Sequence, residues 1–313
     1  MTNYISRRLL ILPVVLLGVS MLVFLVIHLV PGNPAQVIAG ADAPPETVAA
    51  IERDLGLDKS LPEQYIRYLG RVVQGDLGTS LRSKRPVIDE VMTALPKTIQ
   101  LALAAAVITP LVAIPLGVAA AAKRGTSIDT GLMMVSMLGI TVPVFAVGLG
   151  LMWVFGYKLG WLPISGSGGP IWTLDGFRSM VLPALTLAVG SVATMARLTR
   201  STMLEVLGNE FVRVARAKGL RELPVLLKHA LPNALLPIVT VLGMQFAYLL
   251  SGAVVTETIF AIPGVGRLAV YAIQARDFPV VQGAVLIISL LFVLVNLLVD
   301  LLYAVIDPRI RYD

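Results

Sequence analysis

Few side chains in this sequence could carry out chemistry by themselves. It contains no cysteine and two histidines, His28 and His229, far apart in the chain. Disulfide frameworks, cysteine metal sites and thiol catalysis are therefore excluded. No paired carboxylates, metal-ligand cluster or nucleophile beside a base emerges, so no catalytic residue and no metal site is expected. The phosphate-binding pattern GxxxxGK[ST] is absent, and with it the backbone cradle and lysine that hold nucleotide phosphates. What remains is polar groups set in long apolar runs, among them Thr141, Thr186, Ser191, Thr194, Thr240, Gln245, Tyr248, Ser251 and Asn296. In a membrane such groups commonly join helices at about 1 kcal/mol each. Gln245, Tyr248 and Ser251 recur at i, i+3, i+6 and share a face, which makes that face the candidate pathway lining. Glu257 stands at the end of the same run. A carboxylate there either gates or meets a substrate amine, or pairs with Arg267 or Arg276 and reaches interfacial water.

The elements that must position these groups follow from composition. Of 313 residues 57% are hydrophobic and 14% charged, against about 25% charged in an ordinary soluble domain. The apolar residues form continuous runs of about 20, the length that crosses a bilayer as helix. The runs lie near Leu9 to Val30, Ile99 to Ala122, Leu132 to Phe155, Val181 to Ala196, Leu235 to Val255 and Val280 to Val299. Six transmembrane helices in an all-α integral membrane protein are expected. The first run is too long for a signal h-region and ends in Pro31-Gly-Asn-Pro34, so it reads as a retained helix. Pro110, Pro115 and Pro143 fall inside runs and suggest kinks.

Residues 31–95 form the long polar segment and hold nine of the nineteen acidic residues. Within it Val48, Ile51 and Leu55 share a helical face ending at Gly56, and Ser60-Leu-Pro-Glu63 reads as a capping box. A second short helix follows, with Tyr65, Ile66, Leu69, Val72 and Val73 at helical spacing. The domain reading is 1–30 as N-terminus and first membrane helix, 31–95 as an extracytoplasmic segment, 96–306 as a five-helix core, and 307–313 as a cytoplasmic tail. Orientation rests on Lys and Arg: thirteen fall on the side of both termini and four in the short loops opposite, so both termini face the cytoplasm. The net charge of +6 then belongs to cytoplasmic loops and not to nucleic acid. Asp300 is expected at the inner interface.

The most informative connection, 201–233, reads STMLEVLGNEFVRVARAKGLRELPVLLKHALPN. Phe211, Val214, Ala215, Leu220 and Leu223 can form an apolar strip while Arg213, Arg216, Lys218 and Arg221 stay wet, with breaks at Gly219 and Pro224. Such a helix can lie on anionic lipid or fit a partner's groove, and charge pattern does not separate the two.

The residues of this connection resemble a known signature. Ala215, Gly219 and Leu231-Pro232 match the spacing of the loop motif EAA, three residues, Gly, nine residues, Ile-x-Leu-Pro of binding-protein-dependent ABC importer permeases. Arg213, Val214 and His229 stand where that motif has Glu, Ala and Ile. Further stretches resemble the dipeptide/oligopeptide ABC transporter permeases of the peptide/nickel family: ARAKGL at 215–220, HALPNALLP at 229–237, TETIFAIPGVGRL at 256–268, RDFPVVQG at 276–283, NLLVDLLYAVIDPRIRY at 296–312, RRLLILP at 7–13 and GDLGTSL at 75–81. The resemblance implies the ABC importer permease fold in a bacterial-type plasma (inner) membrane. It implies half of a translocation pathway shared with a second homologous permease, two cytoplasmic ATPase subunits that hold the ATP and Mg, an extracytoplasmic binding protein, and a peptide cargo. The chain itself would bind no cofactor and hydrolyse no ATP. The ATPase-coupling residues it implies are Phe211, Arg213, Ala215, Arg216, Ala217, Gly219, Leu220, Leu231 and Pro232, with Gln245, Tyr248, Ser251 and Glu257 as pathway or gate candidates. Glutathione or chelated nickel is the alternative cargo, and an ion-coupled secondary transporter the alternative class, one that would call for intramembrane carboxylates or inverted repeats.

Overall fold

The computed structural model describes residues 2–29, 34–39, 43–166 and 168–306. The expected tail 307–313, most of the Pro-Gly-Asn-Pro break and the side chain of Asp300 lie outside the described residues. The described chain is helical: α1 Thr2–Leu29, α2 Pro34–Ala39, α3 Pro45–Leu55, α4 Leu61–Val73, α5 Val87–Ala122, α6 Ser127–Thr141, α7 Val144–Leu151 with a π-helical continuation Met152–Lys158, α8 Leu174–Leu207, α9 Glu210–Ala217, α10 Glu222–Pro224 running through a π-helical Val225–Ala230 into α11 Leu231–Ile259, α12 Val265–Gln274 and α13 Phe278–Ile306. Its β pairing, among the described residues, is an isolated bridge between Thr79 and Pro86.

Val87–Ala122, Leu174–Leu207 and Phe278–Val299 are each long and apolar enough to cross a membrane. Two bent pairs, Ser127–Thr141 with Val144–Lys158 and Glu222–Leu235 with Pro237–Phe246, bring the number to as many as five. The remaining expected span corresponds to α1, whose described apolar stretch is Ile11–Leu25. The third span departs from expectation. Instead of a kinked helix, α6 and α7 meet at 108°, because Val142 precedes Pro143 and takes an extended conformation at φ −76°, ψ 126°, the region to which a following proline restricts a residue.

The described residues form two compact units, one within 1–97 and 263–297, the other within 98–262 and 298–306. Residues 263–297 group with the N-terminal segment, and α5 begins at Val87, before residue 96. The physical reason lies in the first unit's own core. Leu77, Val87, Val91 and Ala94 pack with Val265, Ala269, Ala272, Val280 and Ala284, so 263–297 shares its packing with the polar N-terminal segment. Gly283 permits close approach there, since an added Cβ would stand 2.5 Å from Val87 Cγ1.

In the same unit α3 ends as expected at Gly56, with φ +69°, the left-handed conformation that glycine adopts without strain. Ser60 is the N-cap of α4 but makes no side-chain cap bond, and Glu63 pairs with Arg67 at 2.8 Å instead. The capping box is therefore not formed. The buried face of α4 turns on Tyr68, while Ile66 and Val73 of the expected strip are exposed. Tyr65 reaches α1, its hydroxyl donating to the Leu17 carbonyl at 3.1 Å and lying 2.9 Å from Ser20 Oγ.

The second unit has two apolar centres. One joins Leu101 of α5, Met180 and Leu182 of α8, Leu249 and Ala253 of α11, and Phe260 and Ile262. The other joins Ala113 and Ala121 of α5, Met195, Ala196 and Met203 of α8, Val212 and Ala215 of α9, Val225, Leu226 and Ala230, and Ala234 and Ile238 of α11. Small residues let these helices approach, as membrane helix interfaces require. At Gly117 an added Cβ would lie 2.5 Å from Thr199 Cβ and 2.6 Å from the Ala196 carbonyl oxygen.

Candidate coupling surface and pathway residues

The connection 208–230 is built as a short helix, a left-handed turn and a re-entry into the bundle. Asn209 precedes α9 in an extended conformation without a side-chain cap bond. Val212 and Ala215, three residues apart, are buried in the second unit's core. The expected strip is therefore divided. Ala215 turns inward with Val212, whereas Phe211, Val214, Leu220 and Leu223 are exposed beside Arg213, Arg216, Ala217, Lys218 and Arg221. One face of α9 fastens it to the π-helical Val225–Ala230 and to α8, within the apolar cluster that α11 also joins, and the other presents a mixed apolar and basic surface.

Gly219 follows the helix at φ +79° and donates to the Arg216 carbonyl at 2.9 Å. It is the glycine of a helix C-terminus, and nothing crowds the position of an added Cβ. Its requirement is conformational and not steric. Across this turn Arg216 donates twice to Glu222, Nη2 to Oε1 at 2.6 Å and Nε to Oε2 at 3.2 Å. The hydrogen bonds from its guanidinium raise the Arg216 pKa above its ordinary value. Arg216 is thus engaged within the connection. Beyond it Val225, Leu226 and Ala230 are buried, while Leu231 is half-buried and Pro232 exposed where the π-helical turn passes into α11; lacking an N–H, Pro232 cannot donate to the preceding turn.

The pathway candidates do not form one face. Gln245 is half-buried and accepts from Ser191 of α8 at 3.3 Å. Tyr248 is 68% exposed and Ser251 is exposed as well. Glu257 is buried, with 0% exposure, and its Oε1 accepts from Thr98 Oγ1 of α5 at 2.6 Å. It does not reach water across the surface of this chain, contrary to the interfacial expectation. Two residues on from Thr98 and one before Glu257, Gln100 Oε1 and Thr256 Oγ1 are buried without a hydrogen-bond partner among the described residues.

Comparison with known proteins settles the class. The chain matches the family described as "Binding-protein-dependent transport system inner membrane component" over residues 113–312, and the corresponding N-terminal family over residues 1–102. The chain belongs to this family. Its relatives include proteins named "Glutathione transport system permease protein GsiC" from Salmonella paratyphi A, 45% identical, from Pectobacterium atrosepticum, 45%, and from Escherichia coli O6:H1, 43%, each aligned over 312 residues and 100% of both chains. The fold resembles that of an inward-facing MetNI methionine ABC transporter chain, with TM-score 0.59, 14% identity, 70% of this chain and 96% of the other covered. It is an ABC importer permease of the peptide/nickel family, an inner-membrane transport subunit, and not a secondary transporter.

Several anchoring residues of the permease were not singled out from sequence. Asp129, buried in the first turn of α6, receives Arg200 of α8 in a bidentate pair at 2.6 and 2.7 Å and the Gly125 amide at 3.0 Å. An acid beside the basic Lys123-Arg124 pair is the signal that could have marked it. Asp277, 4% exposed, accepts from Ser80 Oγ at 2.5 Å and from the Leu81 and Arg82 amides at 3.1 and 3.3 Å. The GDLGTSL and RDFPVVQG stretches that carried the family resemblance supply the two sides of this clamp. The helix-bound His28 also has a positional role, one ring nitrogen 2.7 Å from the Phe24 carbonyl and the other 3.1 Å from Gln64 Oε1.

Proposed function

We propose that this permease forms half of a translocation pathway for short peptides, glutathione foremost, and that residues 201–233 couple it to a cytoplasmic ATPase. A second homologous permease completes the pathway, two ATPase subunits hold ATP and Mg, and an extracytoplasmic binding protein delivers the cargo. Both termini and the 201–233 connection face the cytoplasm. The cargo reading is supported by relatives named for glutathione transport that align over the whole chain.

The observation that carries the coupling reading is the division of α9. Val212 and Ala215 are packed among Met203, Leu226 and Ile238, so a push on the exposed Phe211, Val214 and Arg213 reaches α8 and α11 through close-packed side chains that do not compress. A helix resting on lipid would bury its apolar face in the headgroup region, but here the most buried apolar positions of α9 face protein. Gly219 supplies the turn, and Tyr248 and Ser251 offer polar groups on a face of α11 that a second permease can share. Glu257 serves as a buried gate element held by Thr98.

The test is a cysteine at Ala217, exposed on α9, cross-linked to the ATPase of the assembled transporter, alongside uptake of labelled glutathione. We expect a cross-link that forms in the assembled complex, and uptake that depends on ATP and on the binding protein. Recovery of a complete complex with no cross-link from α9 or its flanks would overturn the coupling assignment. Efficient uptake of dipeptides with none of glutathione would overturn the cargo assignment alone.

A further inference from the structure

Within the second unit, α6 is tied to its neighbours along one side. It starts after Gly125, at φ +77°, and stops at the Val142-Pro143 break, where the chain turns through 108°. Between these bends it packs against α8, and its opposite side is bare: Ile128, Met134, Val135, Met137 and Leu138 are each more than half exposed. The contact with α8 has two parts. Toward the break, Gly139 lies against Ala193 and Val189, where an added Cβ would stand 3.1 and 3.2 Å from their side chains. This part is apolar and has no directional partner. Ser136 is buried as well, yet its hydroxyl donates within α6, to the Leu132 carbonyl at 2.9 Å, and so ties nothing across the contact.

The other part is the pair of Asp129 and Arg200. The carboxylate accepts from Arg200 Nε at 2.6 Å and Nη2 at 2.7 Å, and also from the Gly125 amide at 3.0 Å. The Asp129 side chain is 6% exposed and that of Arg200 26%, so water screens this pair far less than the exposed pair of Arg216 and Glu222. A planar guanidinium set on a carboxylate fixes orientation as well as distance. Arg200 stands one turn of α8 before Met203, which with Val206 enters the core that holds Val212 and Ala215 of α9. Thus α8 packs with both α6 and α9, and the pair lies between the two contacts.

We propose that Asp129 and Arg200 are positioning residues for transport, the joint that makes α6 follow α8 when the coupling connection is displaced. A push on α9 reaches α8 through Met203 and Val206. The bidentate pair resists separation and shear alike, so the first turn of α6 moves with α8. The apolar contact at Gly139 is the fulcrum, and the bends at Gly125 and Pro143 absorb the rotation. Without the pair, α8 slides along α6, because the rest of their contact has no directional hold. The role in transport rests on the coupling reading of 201–233.

The experiment uses the assembled transporter in proteoliposomes. This chain has no cysteine, so spin labels on Thr130→Cys and Ser201→Cys, both exposed positions, report the separation of α6 and α8 beside the joint once partner subunits are freed of reactive cysteine. Continuous-wave EPR is recorded without nucleotide and after vanadate trapping of ATP, and labelled glutathione imported per ATP hydrolysed is measured on the unlabelled complex. In the parent we expect the same separation in both states. Asp129→Asn keeps the shape of the side chain; it should leave the nucleotide-free spectrum as it was and widen the separation in the trapped state. Glutathione per ATP should fall about tenfold, within the range by which single residues alter coupling between sites. Arg200→Lys keeps the charge and loses the fork, so its effect should be smaller, and it carries the test if Asp129→Asn does not fold. Asp129→Asn together with Arg200→Gln should be no worse than the more severe of the two alone, because the residues act as one unit. A purely structural pair would alter both states alike and lower import and ATP hydrolysis at constant ratio, which overturns the proposal. So does a parent whose separation changes on trapping, or a double substitution whose losses multiply. The Ala217 cross-link is run first on the parent complex: its absence brings down the coupling reading and the pair's transport role with it, whereas a cross-link present with an unchanged ratio in every variant brings down the joint alone. A parent that imports no glutathione counts against the cargo reading, and the EPR comparison then decides.

Discussion

The coupling connection and the loop 79–86 solve the same problem, fixing a short non-membrane stretch to its own unit, by opposite means. The connection 208–230 is fixed by apolar side chains: Val212, Ala215, Val225, Leu226 and Ala230 enter a core with α8 and α11. The loop 79–86 is fixed by polar ties, chiefly the Asp277 carboxylate that gathers Ser80 and two backbone amides. Apolar packing transmits displacement and tolerates some sliding, because it has no directional partners. A carboxylate gripping amides holds one geometry and loses it abruptly when broken. The difference suits an element that is pushed in the first case and a surface that must keep its shape in the second.

The comparison is broken most severely where packing is closest. Gly117→Leu places a side chain 2.5 Å from Thr199 Cβ and against the Ala196 carbonyl, and backbone cannot yield as a side-chain tip can. Overpacking typically costs about 1–3 kcal/mol and occasionally more, and this substitution belongs at the upper end or beyond. The protein is expected to lose most of its folded yield in detergent, measured by size-exclusion chromatography. Leu226→Ala comes next. It removes a buried side chain from the junction beneath α9, at about 3 kcal/mol for a Leu→Ala truncation, and should lower Tm together with ATP-dependent uptake. A normal Tm with lost uptake would show that α9 is held by its partner and not by its own core.

Asp277→Ala tests the polar side of the comparison. It leaves the Ser80 hydroxyl and the Leu81 and Arg82 amides without their acceptor, at about 2 kcal/mol. The loss should be local. Hydrogen exchange at 79–86 is expected to accelerate while exchange at 208–230 stays as in the parent, and equal acceleration of both would show that the two regions do not respond separately. Smaller still is Gly219→Ala. With φ at +79° and open space around the Cβ, the penalty is conformational, about 1 kcal/mol, and appears as a modest loss of coupled ATPase activity with folding preserved.

Legibility in the sequence followed the same division. Apolar runs marked the approximate place of the long apolar helices, three of them long enough to cross a membrane and up to five with the bent pairs, because continuous hydrophobicity is a local property. The family signature located the coupling connection through Ala215, Gly219 and Leu231-Pro232. Which side of α9 faces inward was not legible, since Phe211, Val214, Leu220 and Leu223 also match an amphipathic strip and only the structure shows Val212 and Ala215 buried against the rest of their unit. Thr98 beside Glu257, Arg200 beside Asp129 and Ser80 beside Asp277 are separated by 159, 71 and 197 positions. No periodicity reports such pairings. The grouping of 263–297 with the N-terminal segment was hidden for the same reason.

The finest test of the comparison is the ion pair across the Gly219 turn. Arg216 and Glu222 meet in bidentate geometry, and such a pair could be taken as the staple of the coupling connection. Both side chains are substantially exposed, at 43% and 55%, so water screens the attraction and two long side chains are immobilised to make it. Exposed pairs measured by double-mutant cycles give about 0.2–1 kcal/mol. If apolar packing holds this connection, the cycle of Arg216→Gln and Glu222→Gln should return about 0.5 kcal/mol or less and shrink further in 0.5 M salt, where the Debye length is on the order of 4 Å. A salt-resistant coupling of about 2 kcal/mol would mean that the connection is pinned by charge as the 79–86 loop is, and the contrast between a packed, movable element and a clamped, rigid one would fail at the residue where it is easiest to measure.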